Sequence, residues 1–367
     1  MWKKSQTKTS TLKMTRPEPL LLLIPEARHH AGLPMLDTPA MSLELLRPFL
    51  RPIEPLLLDD DVSEIMGNPN ATWYAEREGE MLLQPEISFE PGSLRTGLEV
   101  IANHLGKRLD EDNPVLEAQL PDGSRICAYI PPAVKPRPGL TIRKFTGRRF
   151  TVEDLIARGM LARPLADLLA NQIRSGKTLL ISGGTGTGKT TLLNVLAQSI
   201  PDGERIVTIE DTIELLISKP NLVAFECQTD TFKEPLSFEK LLRTALRCRP
   251  DRIIVGEVRG TEARTLLDSL NTGHSGSLAT IHANSASKAL GRFANLVLRG
   301  NPQLSYADIE AEIGEAVDYV IHIEREPSRR VVREVLRVFG YDRRAEHFET
   351  EYVFPTESQP VTEAIPC

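Results

Sequence analysis

The sequence predicts an α/β protein of two domains, in which a P-loop domain, built on a mostly parallel sheet with helices on both faces, follows a smaller α+β domain. Three observations carry this prediction. Short apolar strands alternate with helices over residues 146–342, which is typical of a parallel sheet covered on both faces. A glycine-rich loop joins one of these strands to the next helix. Residues 41–145 instead combine short strands, helical apolar spacing and many turn-forming residues.

Two terminal segments lie outside these domains. Residues 1–40 are rich in proline and threonine and are predicted to be a flexible extension, with Met41 as an alternative start. Residues 343–367 are predicted to be a polar tail. Basic residues precede the apolar run 20–24, but this run is shorter than the ~7–15 residues of a signal-peptide core. No stretch approaches the ~18 apolar residues of a membrane span, so the sequence predicts a cytoplasmic protein without an integral membrane span.

The composition gives no general attraction to a polyanion. Hydrophobic residues make up 41% of the chain, charged residues 26%, and the net charge is −6. A protein whose main task is to bind nucleic acid usually carries a positive field, because phosphate neutralisation supplies most of its affinity. The charge argues against that class and leaves direct DNA binding through a local patch open. The four cysteines form no CxxC pair, which argues against a zinc ribbon or a disulfide framework.

The elements of each domain follow from apolar periodicity and breakers. In the smaller domain we expect helices and strands in these ranges: helices 43–50 and 94–105, and strands 62–66, 72–75, 125–130 and 140–145. In the larger domain the expected strands are 178–182, 206–209, 252–255 and 277–281, the helices are 190–199, 238–247 and 261–270, and a hairpin joins 319–323 to 331–339.

The glycine-rich loop fits the phosphate-binding pattern GxxxxGK[ST], in the required context between a strand and a helix. Its residues, which we expect to bind the nucleotide ATP, are Gly183, Gly184, Thr185, Gly186, Thr187, Gly188, Lys189, Thr190 and Thr191. Glycines allow successive backbone N–H groups to point at phosphate oxygens, and the following helix adds its positive end. Lys189 would neutralise the β- and γ-phosphates, and the Thr190 hydroxyl would ligate Mg²⁺.

Acidic and histidine side chains follow the predicted strands, where the ligands of open parallel sheets bind. Glu210 and Asp211 follow the predicted strand 206–209, Glu257 follows the strand 252–255, and His282 follows the strand 277–281. His274 lies in the loop before this last strand. Hydrolysis of a phosphate needs a carboxylate that orients water and charge that stabilises the transition state. Glu257 is the candidate for the water, Glu210 and Asp211 for Mg²⁺ through its waters, and His282 for contact with the γ-phosphate.

Two further points concern metal binding at these strand ends. The usual second nucleotide motif carries an aspartate before the glutamate, and this position is Gly256, so direct Mg²⁺ ligation from that strand is absent. A metal site made by His274 and His282 is the competing idea, but it lacks a third ligand at a plausible spacing.

These motifs resemble the type II/type IV secretion traffic ATPases over residues 55–340. The segments that carry the resemblance are 62–66, 140–145, 183–191, 209–215, 249–260 and 272–284, of which the last three resemble the family's Asp box, its atypical Walker B motif with Gly256, and its His box. The resemblance implies a PAS-like N-terminal domain, a RecA-like C-terminal domain, a hexameric ring and ATP bound between the domains. It makes Glu257 the catalytic glutamate, gives the Glu210 segment a supporting role at the metal, and favours Arg143 as the arginine at the γ-phosphate, with Arg247, Arg249 and Arg259 as secondary candidates.

The resemblance also implies a function. We expect a homohexameric, ATP-hydrolysing motor that energises a type IV secretion or conjugation apparatus with inner-membrane components, compatible with a peripheral position at that membrane. The absence of a CxxC pair argues against the type II secretion branch. The alternatives are an ATPase of tight-adherence or type IV pilus assembly, a RecA-like nucleic-acid motor, and a regulatory module that binds nucleotide without hydrolysing it.

Overall fold

The computed structural model describes residues 47–354, except 78, 146, 148, 228–234 and 328. The predicted flexible extension 1–40 and the residues after Phe354, including Cys367, therefore lie outside the described residues. The described residues belong to one compact unit and contain two separate sheets.

The first sheet is antiparallel and is formed by residues of the predicted smaller domain. Its six strands run in the spatial order β3-β2-β1-β6-β5-β4. The strands are β1 (Val62–Gly67), β2 (Trp73–Arg77), β3 (Glu80–Leu83), β4 (Val115–Gln119), β5 (Arg125–Tyr129) and β6 (Gly139–Arg143). Two helices, α1 (Glu54–Leu58) and α2 (Ser93–His104), accompany it. Alternate strand residues such as Ile65 and Ile142 pack against Leu98 of α2 in a closed apolar core, as expected of a sheet with one covered face.

The start of this domain differs from the prediction. The expected helix over residues 43–50 is a single 3-10 turn, Arg47–Phe49, in its described part, and a second turn, Arg51–Ile53, leads into α1. Pro48, Pro52 and Pro55 explain the difference, because a proline starts a helical turn readily but cannot donate the N–H that continues one. Strands β3 and β4 were also not predicted.

The second sheet is largely parallel and forms the centre of the larger domain. Its eight strands run in the order β14-β13-β12-β7-β11-β10-β8-β9. They are β7 (Leu179–Gly183), β8 (Ile206–Glu210), β9 (Leu222–Glu226), β10 (Arg252–Val258), β11 (Leu278–Ile281), β12 (Tyr319–Arg325), β13 (Arg330–Asp342) and β14 (His347–Phe354). Strands β7 to β12 pair in parallel, and β13 and β14 add antiparallel strands at one edge. The predicted α/β fold, its four central strands and its hairpin are confirmed.

Helices cover both faces of this sheet. They are α3 (Val152–Ala157), α4 (Arg163–Arg174), α5 (Lys189–Ala197), α6 (Phe238–Ala245), α7 (Glu262–Asn271), α8 (Ala286–Gly300) and α9 (Tyr306–Ala316). One apolar core joins Leu180 of β7 to α6–α9, including Phe293, and the other joins Ile181 to α3–α5, including Leu192. Successive strand residues serve opposite cores because side chains alternate along a strand. None of the helices in the described residues is both long and apolar enough to cross a membrane.

The segment after residue 342 contains a strand where a polar tail was predicted. Strand β14 pairs with β13, for example Leu336 with Tyr352. Most of its residues are exposed and three of the eight, His347, Glu349 and Glu351, can carry charge, so the hydrophobic signal is weak. Its backbone is held by the unusually long β13, which spans 13 residues. Pairing of this kind adds a strand without requiring a buried face.

Candidate functional site

A cavity of about 1200 Å³ lies between the two sheets, at the carboxyl edge of the parallel one. Many of the residues that line it are positively charged. These basic residues are Arg77, Arg125, Arg143, Lys144, Arg149, Arg158, Lys189, Arg259, Arg325, Arg329 and Arg330. Fewer acidic residues line it, namely Glu80, Glu210, Asp211, Glu214, Glu257 and Glu326. A cavity with this balance of charges attracts an anionic ligand.

The glycine-rich loop forms one wall of this cavity. Strand β7 ends at Gly183, and α5 begins at Lys189 with Gly188 as its N-cap. Gly186 (φ +70°) and Gly188 (φ +94°) adopt left-handed conformations that favour glycine. Of the nine predicted loop residues, six line the cavity: Thr185, Gly186, Gly188, Lys189, Thr190 and Thr191. The other three, Gly183, Gly184 and Thr187, do not line the cavity, and the Thr187 hydroxyl donates to the Gly184 carbonyl at 3.0 Å.

Lys189 is buried at the base of this loop, with 7% of its surface exposed. Its Nζ donates to the Gly184 carbonyl at 2.8 Å and lies 3.4 Å from His282 Nε2. Burial lowers the pKa of Lys189, although the charge of Glu257 opposes the change. The ammonium group of Lys189 therefore lies beside the glycine-rich loop. It is also close to side chains at the carboxyl ends of two strands, His282 after β11 and Glu257 in β10.

Glu257 lies opposite Lys189 in a network of charged side chains. Its Oε1 is 3.1 Å from His282 Nε2 and accepts from Arg259 Nε at 2.8 Å, and its Oε2 accepts from Arg259 Nη2 at 3.0 Å. Arg259 Nη1 also donates to Asp211 at 2.8 Å. Burial alone would raise the pKa of Glu257, but the hydrogen bond and charge of Arg259, with His282 and Lys189, hold it below its usual value. Glu257 is thus held as a carboxylate.

His282 joins the two charged groups. It is only partly buried, and it lies between Glu257 and Lys189. Burial and the nearby charge of Lys189 lower its pKa, and Glu257 opposes them. The predicted grouping of Lys189, Glu257 and His282 is therefore present in a single chain.

The carboxyl group of Glu210 bonds to the backbone rather than to this network. It is buried, with 3% of its surface exposed, and its Oε1 accepts from the backbone N–H groups of Glu214 at 3.0 Å and Leu215 at 3.1 Å. Burial raises its pKa to about 7, even though both N–H groups favour the ionised form. Its carboxyl group is engaged with the backbone of the loop that follows β8.

The predicted metal ligands Thr190 and Asp211 both line the cavity. Asp211 is exposed and bonded to Arg259. In the described ranges no group of three or more His, Cys, Asp or Glu residues could hold a metal ion. The donor set is a hydroxyl and carboxylates beside a phosphate-type loop, and this set fits Mg²⁺, which keeps several waters and takes further oxygens from phosphates.

His274 does not lie with His282. It comes before the amino end of β11, where its Nδ1 is 3.2 Å from the Ser269 carbonyl, whereas His282 follows the carboxyl end of that strand. The competing two-histidine site is thus divided between opposite ends of one strand.

The predicted arginines divide into two groups. Arg143, the last residue of β6, is exposed, lines the cavity and acts electrostatically on Lys189. Arg259 belongs to the Glu257 network. Arg247 and Arg249 precede the amino end of β10 and do not line the cavity.

Seven arginines that line the cavity were not predicted, and three of them make contacts that join parts of the site. Arg125 Nη2 pairs with Glu214 at 3.0 Å, joining the first sheet to the loop after β8. Arg330 Nε donates to the Gly186 carbonyl at 2.9 Å, and Arg325 contacts the carbonyl of Gly79. Only their positions in the chain could have indicated Arg325 and Arg330. Strand β12 is parallel to β7, so arginines at or just after its carboxyl end lie at the sheet edge that carries the glycine-rich loop.

These features define an α/β protein with a cationic ligand cavity at the carboxyl edge of a largely parallel sheet. The family described as "Type II/IV secretion system protein" matches residues 50–343, and the chain belongs to this family. The expected resemblance is confirmed.

Similar proteins agree with this assignment. The conjugal transfer protein TrbB of Rhizobium radiobacter is 37% identical over 301 residues, covering 80% of this chain and 89% of TrbB. The type IV secretion system protein VirB11 of Bartonella quintana is 33% identical over 325 residues, covering 78% of this chain and 91% of VirB11. The solved structure of the Legionella pneumophila ATPase DotB shares the fold, with a TM-score of 0.54, 20% identity and coverage of 82% of this chain and 81% of that one.

Proposed function

We propose that this chain hydrolyses ATP and acts as a motor of a bacterial type IV secretion or conjugation apparatus. Family membership and similarity to conjugal transfer and type IV secretion proteins support the machine. The observation that carries the activity is the chain of contacts from Lys189 to His282 (3.4 Å) and from His282 to Glu257 (3.1 Å) beside the glycine-rich loop.

In this proposal the larger domain is RecA-like, the smaller domain is PAS-like, and ATP binds between them. The loop residues bind the phosphates through backbone N–H groups, and Lys189 neutralises the β- and γ-phosphates. Mg²⁺, when bound by the Thr190 hydroxyl and water beside Asp211, neutralises the charge of the β- and γ-oxygens. The positive charges of Arg143 and Arg330 lie on the same cavity and would stabilise the added charge.

The proposed reaction is an in-line displacement at the γ-phosphorus. A new bond forms from a water oxygen to phosphorus while the bond from phosphorus to the β–γ bridging oxygen breaks, so ADP leaves. Glu257 orients the water and takes up its proton in the course of the reaction. Since neighbouring charges lower the pKa of Glu257, it is present as the carboxylate that can accept this proton. His282 contacts the transferred phosphate from the Lys189 side.

We further propose that the chain works as a homohexamer, at the cytoplasmic face of inner-membrane components. The relatives that support this are parts of conjugal transfer and type IV secretion systems.

The experiment that tests the activity is a phosphate-release assay with Mg²⁺ and ATP. Lys189→Ala should abolish both hydrolysis and binding of a fluorescent ATP analogue. Lys177→Ala is the matched control, because Lys177 is an exposed lysine that pairs with Asp318 away from the cavity. ATP binding that survives Lys189→Ala unchanged would reject the loop as the phosphate site.

A further inference from the structure

A buried polar cluster lies beneath the glycine-rich loop. Ser182, the residue before Gly183, has no exposed surface, and His322 of β12 is 2% exposed. Their neighbours two residues earlier, Leu180 and Val320, belong to the core on the α6–α9 side. Because side chains alternate along strands, Ser182 and His322 face that side too, opposite α5.

The two side chains are bonded to each other. Ser182 and His322 are direct partners in the parallel β7–β12 pair, and Ser182 Oγ lies 2.9 Å from His322 Nδ1. Burial lowers the pKa of His322, although the carboxylates of Glu334 and Glu324 oppose the change. A neutral ring protonated at Nε2 accepts the serine hydroxyl at Nδ1.

The cluster continues to the segment that carries His282. His322 and Glu334 lie opposite each other in the backbone register of the antiparallel strands β12 and β13, which places both side chains on one face of the sheet. Glu334 Oε2 accepts the backbone N–H of Ala286 at 2.8 Å, at the first residue of α8. A carboxylate at a helix N-terminus is favoured by the helix dipole. Helix α8 begins four residues after His282.

We propose that His322 is a positioning residue that fixes the start of the glycine-rich loop relative to the start of α8, and so relative to His282. The inference rests on the proposed ATPase function. His322 does not line the cavity. Its Nδ1 bonds to Ser182 on one side, and on the other side its Nε2 lies 3.7 Å from Glu324 Oε1, while its strand partner Glu334 acts on the ring electrostatically. If the link is lost, the loop keeps its own phosphate contacts, but its distance from His282 and Glu257 changes.

The expected signature is therefore a loss of turnover at nearly constant nucleotide affinity. Ser182→Ala removes one hydroxyl, and His322→Ala removes the ring. Each should lower kcat by about 10-fold with KM within about threefold, since small misplacements of reacting groups are costly. His322→Asn should recover most of the turnover, because its amide oxygen can accept the serine hydroxyl near the Nδ1 position. The double variant Ser182→Ala/His322→Ala should lose no more than either single one, as expected of partners in one bond.

The measurement is ATP turnover per nucleotide-binding site in the full-length chain, well below the unfolding temperature. Ser269→Ala is the matched control, because Ser269 is equally buried and bonds to Leu266 in α7, away from the cavity. That variant should change thermal stability without changing kcat per site. If His322→Ala fails to fold, Ser182→Ala and His322→Asn still decide the question.

The possible results distinguish the positioning role from the ATPase function. A wild-type chain that hydrolyses ATP, with Ser182→Ala and His322→Ala within twofold of its kcat, would overturn the positioning role and leave the ATPase function intact. The positioning role is also overturned if Ser182→Ala lowers kcat no more than the Ser269→Ala control does. A wild-type chain without any hydrolysis would overturn the proposed function, and the positioning role with it.

Discussion

The side chain of Glu210 lies directly over Gly256. A Cβ atom added to Gly256 would stand 2.9 Å from Glu210 Cγ, closer than real Cβ contacts come. The position that carries an aspartate in the usual nucleotide motif is therefore filled by a carboxylate from the neighbouring strand. That carboxylate bonds to the backbone N–H groups of Glu214 and Leu215. We infer that Glu210 positions the loop after β8.

Gly256→Ala tests this packing. The new methyl group should displace Glu210 and destabilise the protein by about 1–3 kcal/mol, as overpacked sites do, and should lower ATP turnover. Gly203→Ala is the control, because nothing lies within 4 Å of a Cβ there. That change should leave stability unchanged or raise it by up to ~1 kcal/mol. Urea unfolding of both variants provides the comparison, and equal stabilities would contradict the close packing of Glu210 on Gly256.

Glu210→Gln should change how stability depends on pH. Burial raises the pKa of Glu210 from 4.5 to about 7, so the folded state binds the proton more tightly than the unfolded state. The contribution of Glu210 to the free energy of unfolding is therefore fully present below pH 4.5 and is lost as the pH rises through 7. The full difference corresponds to about 3 kcal/mol. Relative to wild type, Glu210→Gln should therefore gain stability between pH 5 and pH 8, measured by urea unfolding. A constant difference across that range would show that Glu210 is not buried in this way.

Arg259→Ala should move the pH profile of hydrolysis. Without the guanidinium, burial dominates and the pKa of Glu257 rises, so the acid limb of kcat/KM should shift to higher pH. Arg243→Ala removes a comparable exposed ion pair, with Glu239 on α6, and should leave the profile in place. An unmoved acid limb in Arg259→Ala would remove Arg259 from the control of Glu257.

Arg330→Ala should weaken nucleotide binding. Its Nε bonds to the Gly186 carbonyl, and its charge lies on the cavity. Loss of a charge-assisted contact of about 1.5 kcal/mol corresponds to an increase in Kd of about 10-fold. Arg337→Ala is the control on the same strand, where the guanidinium packs over the Phe339 ring instead. Titration with a fluorescent ATP analogue measures both, and equal Kd values for the two variants would exclude Arg330 from the site.

Much of the fold could be predicted because its signals are local. The four buried central strands are short apolar runs, and the structure places them within three residues of the expected ranges. Strand β14 was missed because its exposed, charged residues carry little apolar signal and its pairing partner is a tertiary feature. The prolines around residue 50 outweighed the apolar spacing that indicated a helix.

The sequence could predict only those features of the site that follow from the position of a residue relative to the strands. The parallel sheet brings Lys189, Glu257 and His282 to one edge, and this follows from their places after strands. The direction of Glu210 does not follow, because it depends on the backbone path of residues 211–215. Arg125 could not be singled out, since its contact with Glu214 joins the two sheets. Arg330 had only its position after β12 as a signal, because its contact with Gly186 depends on a hairpin distant in sequence.

The most direct test of ATP hydrolysis at this site compares turnover with binding in Glu257→Gln. The amide keeps the shape of the side chain but cannot accept the proton of the attacking water. We predict that ATP binds with a Kd within about threefold of wild type, while single-turnover hydrolysis slows by about 100-fold or more, as for the loss of a general base. Hydrolysis at the wild-type rate in Glu257→Gln would contradict the role of Glu257 and the reaction proposed for this site.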